Sequence, residues 1–298
     1  SIILTQLEAF ADLSGLTDRI TGHDPYAILH ALEEESYHGR LLPNVFAGGT
    51  IDTERCVLTG YSALEDFRHS AWSYARYFAE QGYSLNGAHA GYEEFYNRLN
   101  VNANLGISNY RFIEGYYDEL YGAIPPDDFF LQDITNYCKN QMESGPVFSF
   151  NVTYQNHGPY DSSKLWYDTL YVPQGDLSDS DYHIINNYLH GIEKTTVHMQ
   201  RMVDAFRESE EPMILVFFGD HKPWLGEQSV TYGALGIEIQ SHDIGSFYNY
   251  YATPYLIWAN DAAKAALDSD FVGQGPDISP CFLMNVLFEQ CGWEGRRS

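Results

Sequence analysis

The chain has 298 residues, enough for one large domain, and hydrophobic residues make up 44%, enough for a sizeable core. The formal net charge is −25 and the isoelectric point about 4.5. That balance excludes a nucleic-acid binder, which needs a basic footprint, and disfavours peripheral attraction to an anionic membrane. No apolar run reaches the ~18 residues of a membrane span, and the opening, Ser1-Ile-Ile-Leu-Thr-Gln-Leu7, is a strand without Met or leader. It reads as an excised domain. Cys56, Cys138, Cys281 and Cys291 form no CxxC pair, so a cysteine zinc site is not expected and buried free thiols are.

The first strand ends at Leu7 and is followed by Glu8. Residues 9–39 read as loop and short helical pieces. Leu41–Gly49 is a glycine-ended approach to a helix that starts near Thr50. Ser62–Gln81 reads as an amphipathic helix, with Leu64, Phe67, Trp72, Tyr74, Tyr77 and Phe78 on its apolar side. Gly82–Ala90 is a turn and short strand. Asp127–Glu143 is a helix opened by acids that suit its N-terminus. Val147–Thr153 is a core strand, which discounts the sequon at Asn151. Asp179–Glu208 is a long helix with Ile185, Leu189, Ile192, Met199, Val203 and Phe206 at helical spacing. Met213–Gly219 is a fully apolar strand ending in Asp220-His221-Lys222-Pro223. Tyr255–Ala259 is a further strand. Ser279–Cys291 closes as a helix, with Ser279 as N-cap and Pro280 in its first turn.

Strands thus alternate with helices. The expected fold class is α/β, a mostly parallel central sheet with helices on both faces. Residues 1–298 read as one domain, with 224–298 as a candidate smaller subregion of it. In such folds functional groups collect past the carboxyl ends of strands. Glu8, Thr50, Asp220 and His221 fall at such places or at a helix start. They form an oxygen and nitrogen donor set without thiolate, suited to Mn²⁺ or Mg²⁺, with Zn²⁺ admitted. A hydroxyl such as that of Thr50 at a helix N-terminus, next to a metal, is a candidate nucleophile. A plain N-cap threonine after a glycine turn reads the same way.

Six stretches in order carry a resemblance. They are Ile2–Glu8, Ala47–Glu54 with Val57–Gly60 after it, Phe95-Tyr96-Asn97-Arg98, Asn156-His157-Gly158-Pro159, Phe217–Pro223 and Thr253–Asn260. Together they resemble the extracellular catalytic domain of lipoteichoic acid synthases and related phosphoglycerol transferases, in the sulfatase-like branch of the alkaline phosphatase superfamily. The resemblance implies one divalent ion, manganese first, on Glu8, Thr50, Asp220 and His221. It implies Thr50 as a nucleophile carrying glycerol phosphate, His157 at the substrate phosphate and as proton donor, and Arg98 gripping glycerol phosphate. His89 matches a further active-site histidine. Tyr96 stands where relatives carry Trp, which bears on substrate preference. The implied activity moves glycerol phosphate from a phosphatidylglycerol-type lipid donor to a cell-envelope polymer or glycan. The implied place is the outer face of a membrane, with an N-terminal membrane tether outside this chain. Alternatives are a phosphodiesterase, a phosphoethanolamine transferase, or a noncatalytic module that binds a glycan or lipid head group. No protein partner is inferable. The C/S-x-P-x-R string of sulfate-ester hydrolases does not surround Thr50.

Overall fold

The computed structural model describes residues 1–62, 65–240 and 242–294. Its eight strands are β1 (Ile2–Leu7), β2 (Tyr37–Leu41), β3 (Ser84–His89), β4 (Tyr110–Arg111), β5 (Val147–Val152), β6 (Ile214–Gly219), β7 (Thr253–Ala259) and β8 (Gly273–Gln274). They form one sheet in the order β4-β3-β5-β1-β6-β7-β2-β8. All neighbours are parallel except β6–β7 and β7–β2. The expected mostly parallel sheet is therefore present, with β7 as the reversed strand.

Both faces of the sheet are buried, and the alternation along β1 and β6 shows how. Ile3, Leu7, Leu215 and Phe217 join one core with residues of the helices Ala27–Glu34, Asp127–Met142 and Asp179–Arg207. Ile2, Leu4, Ile214, Val216 and Phe218 join a second core with residues of Thr50–Thr59, Tyr74–Glu80 and Leu283–Gln290. A central strand covered on both sides is buried at every position; β6 meets this with an unbroken hydrophobic run, whereas β1 carries buried Thr5 and Gln6 near its carboxyl end. Asn151 lies buried within β5, its side-chain amide donating to the Leu4 carbonyl at 3.2 Å, so its sequon is not at the surface. The four cysteines are free.

Three expectations are corrected. The helix expected over Ser62–Gln81 spans only Tyr74–Glu80. Ser73 caps it, its Oγ accepting from Arg76 N at 3.1 Å, and the chain before it is irregular. Phe67 is buried from a left-handed backbone position (φ 47°), so the apolar spacing there reflects single insertions into the core rather than a helix face. Ala63 and Leu64 lie outside the described residues. β2 falls inside and beyond the stretch read as loop and helical pieces, and its short, mixed sequence Tyr-His-Gly-Arg-Leu carries little periodic signal. The closing helix divides into a 3₁₀ turn, Pro280–Phe282, and an α-helix, Leu283–Gln290, and Ser279 makes no side-chain cap bond.

Asp127, at the start of its helix, is fully buried. Its Oδ2 accepts from Thr195 Oγ1 at 2.6 Å, whereas Oδ1 has no hydrogen-bond partner. Burial raises its pKa from 3.8 to about 6. The folded state therefore holds this proton more tightly than the unfolded chain, and its contribution to stability falls as pH rises from 3.8 through about 6. The loss is about 3 kcal/mol. Asp127→Asn removes it, so chemical denaturation should find the variant more stable than the parent at pH 8 and not at pH 4. Equal differences at both pH values would contradict this.

Candidate active site

The carboxyl ends of β1 and β6, which are paired neighbours, deliver Glu8 on one strand and Asp220-His221 on the other. The chain leaves β1 through Ala9 in a left-handed conformation (φ 48°), which lets Ala9 N donate to Asp220 Oδ1 at 2.8 Å. His221 N donates to the same oxygen at 2.8 Å. Thr50 arrives from the helix Thr50–Thr59. Gly49 before it has φ 86°, and a Cβ there would stand 2.6 Å from Val45 Cγ1, so this turn needs glycine. The helix is held by Gln6 Nε2 on the Thr50 carbonyl (2.9 Å) and by Thr53 Oγ1 on the Asp220 carbonyl (2.8 Å).

Gly49 occupies the N-cap position, with no side-chain cap bond. The Thr50 hydroxyl is thus not a capping group. It sits 3.2 Å from Glu8 Oε2 and 3.2 Å from His221 Nε2. His221 Nε2 is 3.4 Å from both Glu8 Oε1 and Asp220 Oδ2. All four residues are buried.

The donor set fits a divalent cation. His221 Nδ1 is 2.9 Å from the Lys222 carbonyl, which can only accept, so Nδ1 carries the proton and Nε2 presents its lone pair to the centre. Asp220 Oδ1 is occupied by two backbone donors, whereas buried Oδ2 has no hydrogen-bond partner. Ligand atoms of Glu8, Asp220 and His221 lie within 4.8 Å of one another. Burial, and then the neighbouring Asp220, pushes the pKa of Glu8 well above the usual carboxylate range. Two carboxylates enclosed together without a cation are electrostatically costly. Two carboxylates, a hydroxyl and an imidazole make a hard set that suits Mn²⁺, Mg²⁺ or Zn²⁺.

A cavity of about 710 Å³ opens over this centre and is lined by Glu8, Thr50, Tyr96, His157, His221 and Trp224, among others. His157 is exposed, its ring stacked on Tyr154 at 4.9 Å with 5° between planes. Its Nδ1 donates to the Gly158 carbonyl at 2.6 Å, which leaves Nε2 unengaged. Tyr96 lines the cleft half-exposed.

Two of the site residues anticipated from sequence lie beneath the cleft rather than on its wall. Arg98 is 1% exposed, and its Nε donates to Glu54 Oε2 at 2.9 Å. Its Nη1 is buried without a hydrogen-bond partner, and its charge is felt at Glu8 and at His89. His89 is buried, with Nδ1 on the Val152 carbonyl at 3.2 Å, and burial, then Arg98, drives its pKa well below the usual histidine value. Glu54 was not among the anticipated residues. Its signal was available, since it lies four residues after Thr50 on one helix and therefore faces the same side. Trp224, 53% exposed on the cleft wall, had no signal beyond following Pro223. Because Arg98 and Glu54 form a buried pair, Arg98→Ala should destabilise the fold by about 3–5 kcal/mol, read by thermal unfolding without ligand. A melting temperature equal to the parent's would make Arg98 a residue without structural role.

The sulfatase family model matches residues 2–282. The chain belongs to the sulfatase family. A Rhizobium meliloti (strain 1021) protein named for cyclic beta-1,2-glucan modification is 26% identical over 306 residues, covering 98% of this chain and 46% of that protein. The capsular polysaccharide biosynthesis protein RkpI of the same strain is 23% identical over 240 residues, covering 75% and 41%. This sulfatase-family chain thus spans less than half the length of the curated relatives it matches. Among solved structures it is similar to the Streptococcus pyogenes phosphoglycerol transferase GacH in complex with sn-glycerol-1-phosphate (19% identity, TM-score 0.71, covering 98% of this chain and 75% of that one). It is also similar to the Listeria monocytogenes lipoteichoic acid synthase LtaP (16%, TM-score 0.74, 99% and 72%) and to the C-terminal periplasmic domain of Escherichia coli EptC in complex with Zn (15%, TM-score 0.66, 98% and 82%). At these identities the likeness shows the shared alkaline phosphatase-like fold. No helix among the described residues is long and apolar enough to cross a membrane.

Proposed function

We propose that this chain is the catalytic domain of a metal-dependent phosphoglycerol transferase with Thr50 as nucleophile. The observation that carries the reading is the position of the Thr50 hydroxyl. It performs no capping duty, and it stands 3.2 Å from two groups of a closed, hard donor set. Glu8, Thr50, Asp220 and His221 would hold one divalent ion, Mn²⁺ first among those the donor set suits. When bound, the ion supplies positive charge that favours the deprotonated hydroxyl and offsets charge developing on the phosphoryl oxygens.

The chain's own residues do the rest. Thr50 Oγ1 attacks phosphorus of a phosphatidylglycerol-type donor, a new oxygen–phosphorus bond forms, and the bond to diacylglycerol breaks. Glu8 Oε2, 3.2 Å away, gives the hydroxyl proton a route off the nucleophile. His157 Nε2, in the protonated ring, donates to the departing diacylglycerol oxygen. The neutral ring then takes the proton of an acceptor hydroxyl, which attacks phosphorus and releases Thr50. Arg98 acts from below, as buried positive charge beside the phosphoryl site, and Tyr96 shapes the cleft wall. His89 sits behind them as a positioning residue.

The names of the two Rhizobium relatives support a glycan acceptor, and the solved relatives support glycerol phosphate as the group moved and a setting outside the membrane. A second reading, phosphoethanolamine transfer, draws support from the solved Campylobacter jejuni and Neisseria meningitidis domains of that activity. The test is intact-mass spectrometry after incubation with Mn²⁺ and phosphatidylglycerol, beside phosphatidylethanolamine and a Thr50→Ala control. A glycerol-phosphate adduct absent from the control supports the reading. An adduct only with phosphatidylethanolamine transfers support to the second, and no adduct with metal shown bound excludes both.

A further inference from the structure

Lys222 directly follows His221, yet its main chain and side chain serve different places. Its carbonyl accepts from His221 Nδ1 at 2.9 Å and from Ala47 N at 3.1 Å, so the backbone belongs to the catalytic centre. Its side chain, with the residue only 2% exposed, lines a separate cavity of about 500 Å³. This cavity is bounded by Asp12 after β1, Glu33 of the helix Ala27–Glu34, His38 and Arg40 of β2, and Tyr248. It shares no lining residue with the catalytic cleft.

The Lys222 ammonium makes no hydrogen bond or ion pair with any described residue. The side-chain charges it feels are Asp12, which attracts it, and Arg40, which repels it. Asp12 is already engaged, by His30 Nε2 at 2.9 Å and Ser14 N at 2.8 Å. Arg40 is held in a two-point pair by Asp277 (2.9 and 2.6 Å) and lies over the Tyr248 ring at 4.5 Å. A buried cation without a counter-ion is costly, and proteins keep such groups chiefly where a ligand supplies the partner. The same cavity carries unmet hydrogen-bond capacity. The Glu33 carboxylate makes no hydrogen bond to a described residue, and His38 uses only Nδ1, on the Ser36 carbonyl at 3.2 Å.

An unmet positive charge at Lys222, an unengaged carboxylate at Glu33 and a free imidazole nitrogen at His38 describe a ligand with one negative charge at one end and hydroxyls, which the carboxylate and imidazole can meet, at the other. A neutral sugar would leave Lys222 unpaired. A dianionic phosphate monoester would meet Asp12 and Glu33 as like charges. The volume falls within the range of small-molecule sites. We infer that this cavity is a second ligand site that takes a singly charged acidic sugar, its carboxylate on Lys222 and its hydroxyls on Glu33 and His38. The inference is independent of the phosphoglycerol reading.

Calorimetric titration of the purified chain with D-glucuronate tests it, beside D-glucose and glucose 6-phosphate. The expected result is saturable millimolar binding of glucuronate, with both comparison sugars at least about tenfold weaker. Lys222→Met should weaken glucuronate binding at least about tenfold, while Thr50→Ala, in the other cavity, should leave it unchanged. Lys222→Gln, which removes the charge but keeps a polar tip, should weaken it at least about tenfold and serves if Lys222→Met does not fold. No saturable heat up to about 50 mM overturns the inference, as does equal or tighter binding of either comparison sugar, or binding unchanged in the variants that fold.

Discussion

Thr50→Ala should lower transfer by at least about 10³-fold and abolish the covalent adduct while leaving the fold intact. The hydroxyl makes two 3.2 Å contacts, both to groups of the centre, and holds no cap. Removing it should therefore change stability by about 1 kcal/mol or less. The helix itself is anchored by other atoms, namely the Thr50 carbonyl on Gln6 and Thr53 on the Asp220 carbonyl. Thr50→Ser keeps an oxygen in place and should retain part of the activity. The measurement is diacylglycerol release paired with thermal unfolding of the same preparations. Activity within about tenfold of the parent in the folded alanine variant would remove Thr50 from the mechanism and leave water attack, a phosphodiesterase route, as the surviving chemistry.

How far the site could be read in the amino-acid sequence depended on where its residues sit relative to the sheet. β6 is covered on both faces and apolar throughout, so the first polar residues past it, Asp220 and His221, are necessarily near the sheet's carboxyl end. β1 is just as buried but carries Thr5 and Gln6, so Glu8 is found by the end of the strand at Leu7 rather than by a change from apolar to polar. Thr50 was ambiguous, because a glycine turn before a helix suits a cap and a nucleophile equally. Only the observed N-cap at Gly49 separates the two. Arg98 lies in a polar string, Tyr-Asn-Arg, and a charged residue there reads as exposed, since burial of its charge depends on Glu54 across a tertiary contact. Lys222 is the same case in reverse. It follows two residues of the centre, yet its side chain serves another cavity, and a one-residue change of direction after a strand has no periodic signature. The short strands β2 and β8, next to and at one edge of the sheet, escape for a related reason, because their register is supplied by β7 and by each other rather than by their own hydrophobic pattern.

Asp220→Asn should abolish metal-dependent stabilisation while making the metal-free protein at least as stable as the parent. Asp220 Oδ1 accepts from Ala9 N and His221 N, both at 2.8 Å, and the amide oxygen of asparagine can accept both. The substitution replaces Oδ2, the buried oxygen without a hydrogen-bond partner, by an amide nitrogen facing Glu8 and His221. One of two enclosed carboxylate charges disappears, and the repulsion that contributes to the raised Glu8 pKa goes with it. In the parent, a divalent ion at 100 times its dissociation constant adds about 2.7 kcal/mol to unfolding, which is about 5 °C for a chain of this size. Thermal scans of parent and variant, each in chelator and in Mn²⁺, separate the contributions. The parent should rise by about 5 °C on metal addition and the variant by none. In chelator the variant should melt at or above the parent. If chelator leaves the variant well below the parent, Asp220 serves mainly as a structural acceptor between β1 and β6. An Mn²⁺ shift that survives in the variant would place the ion elsewhere in the molecule.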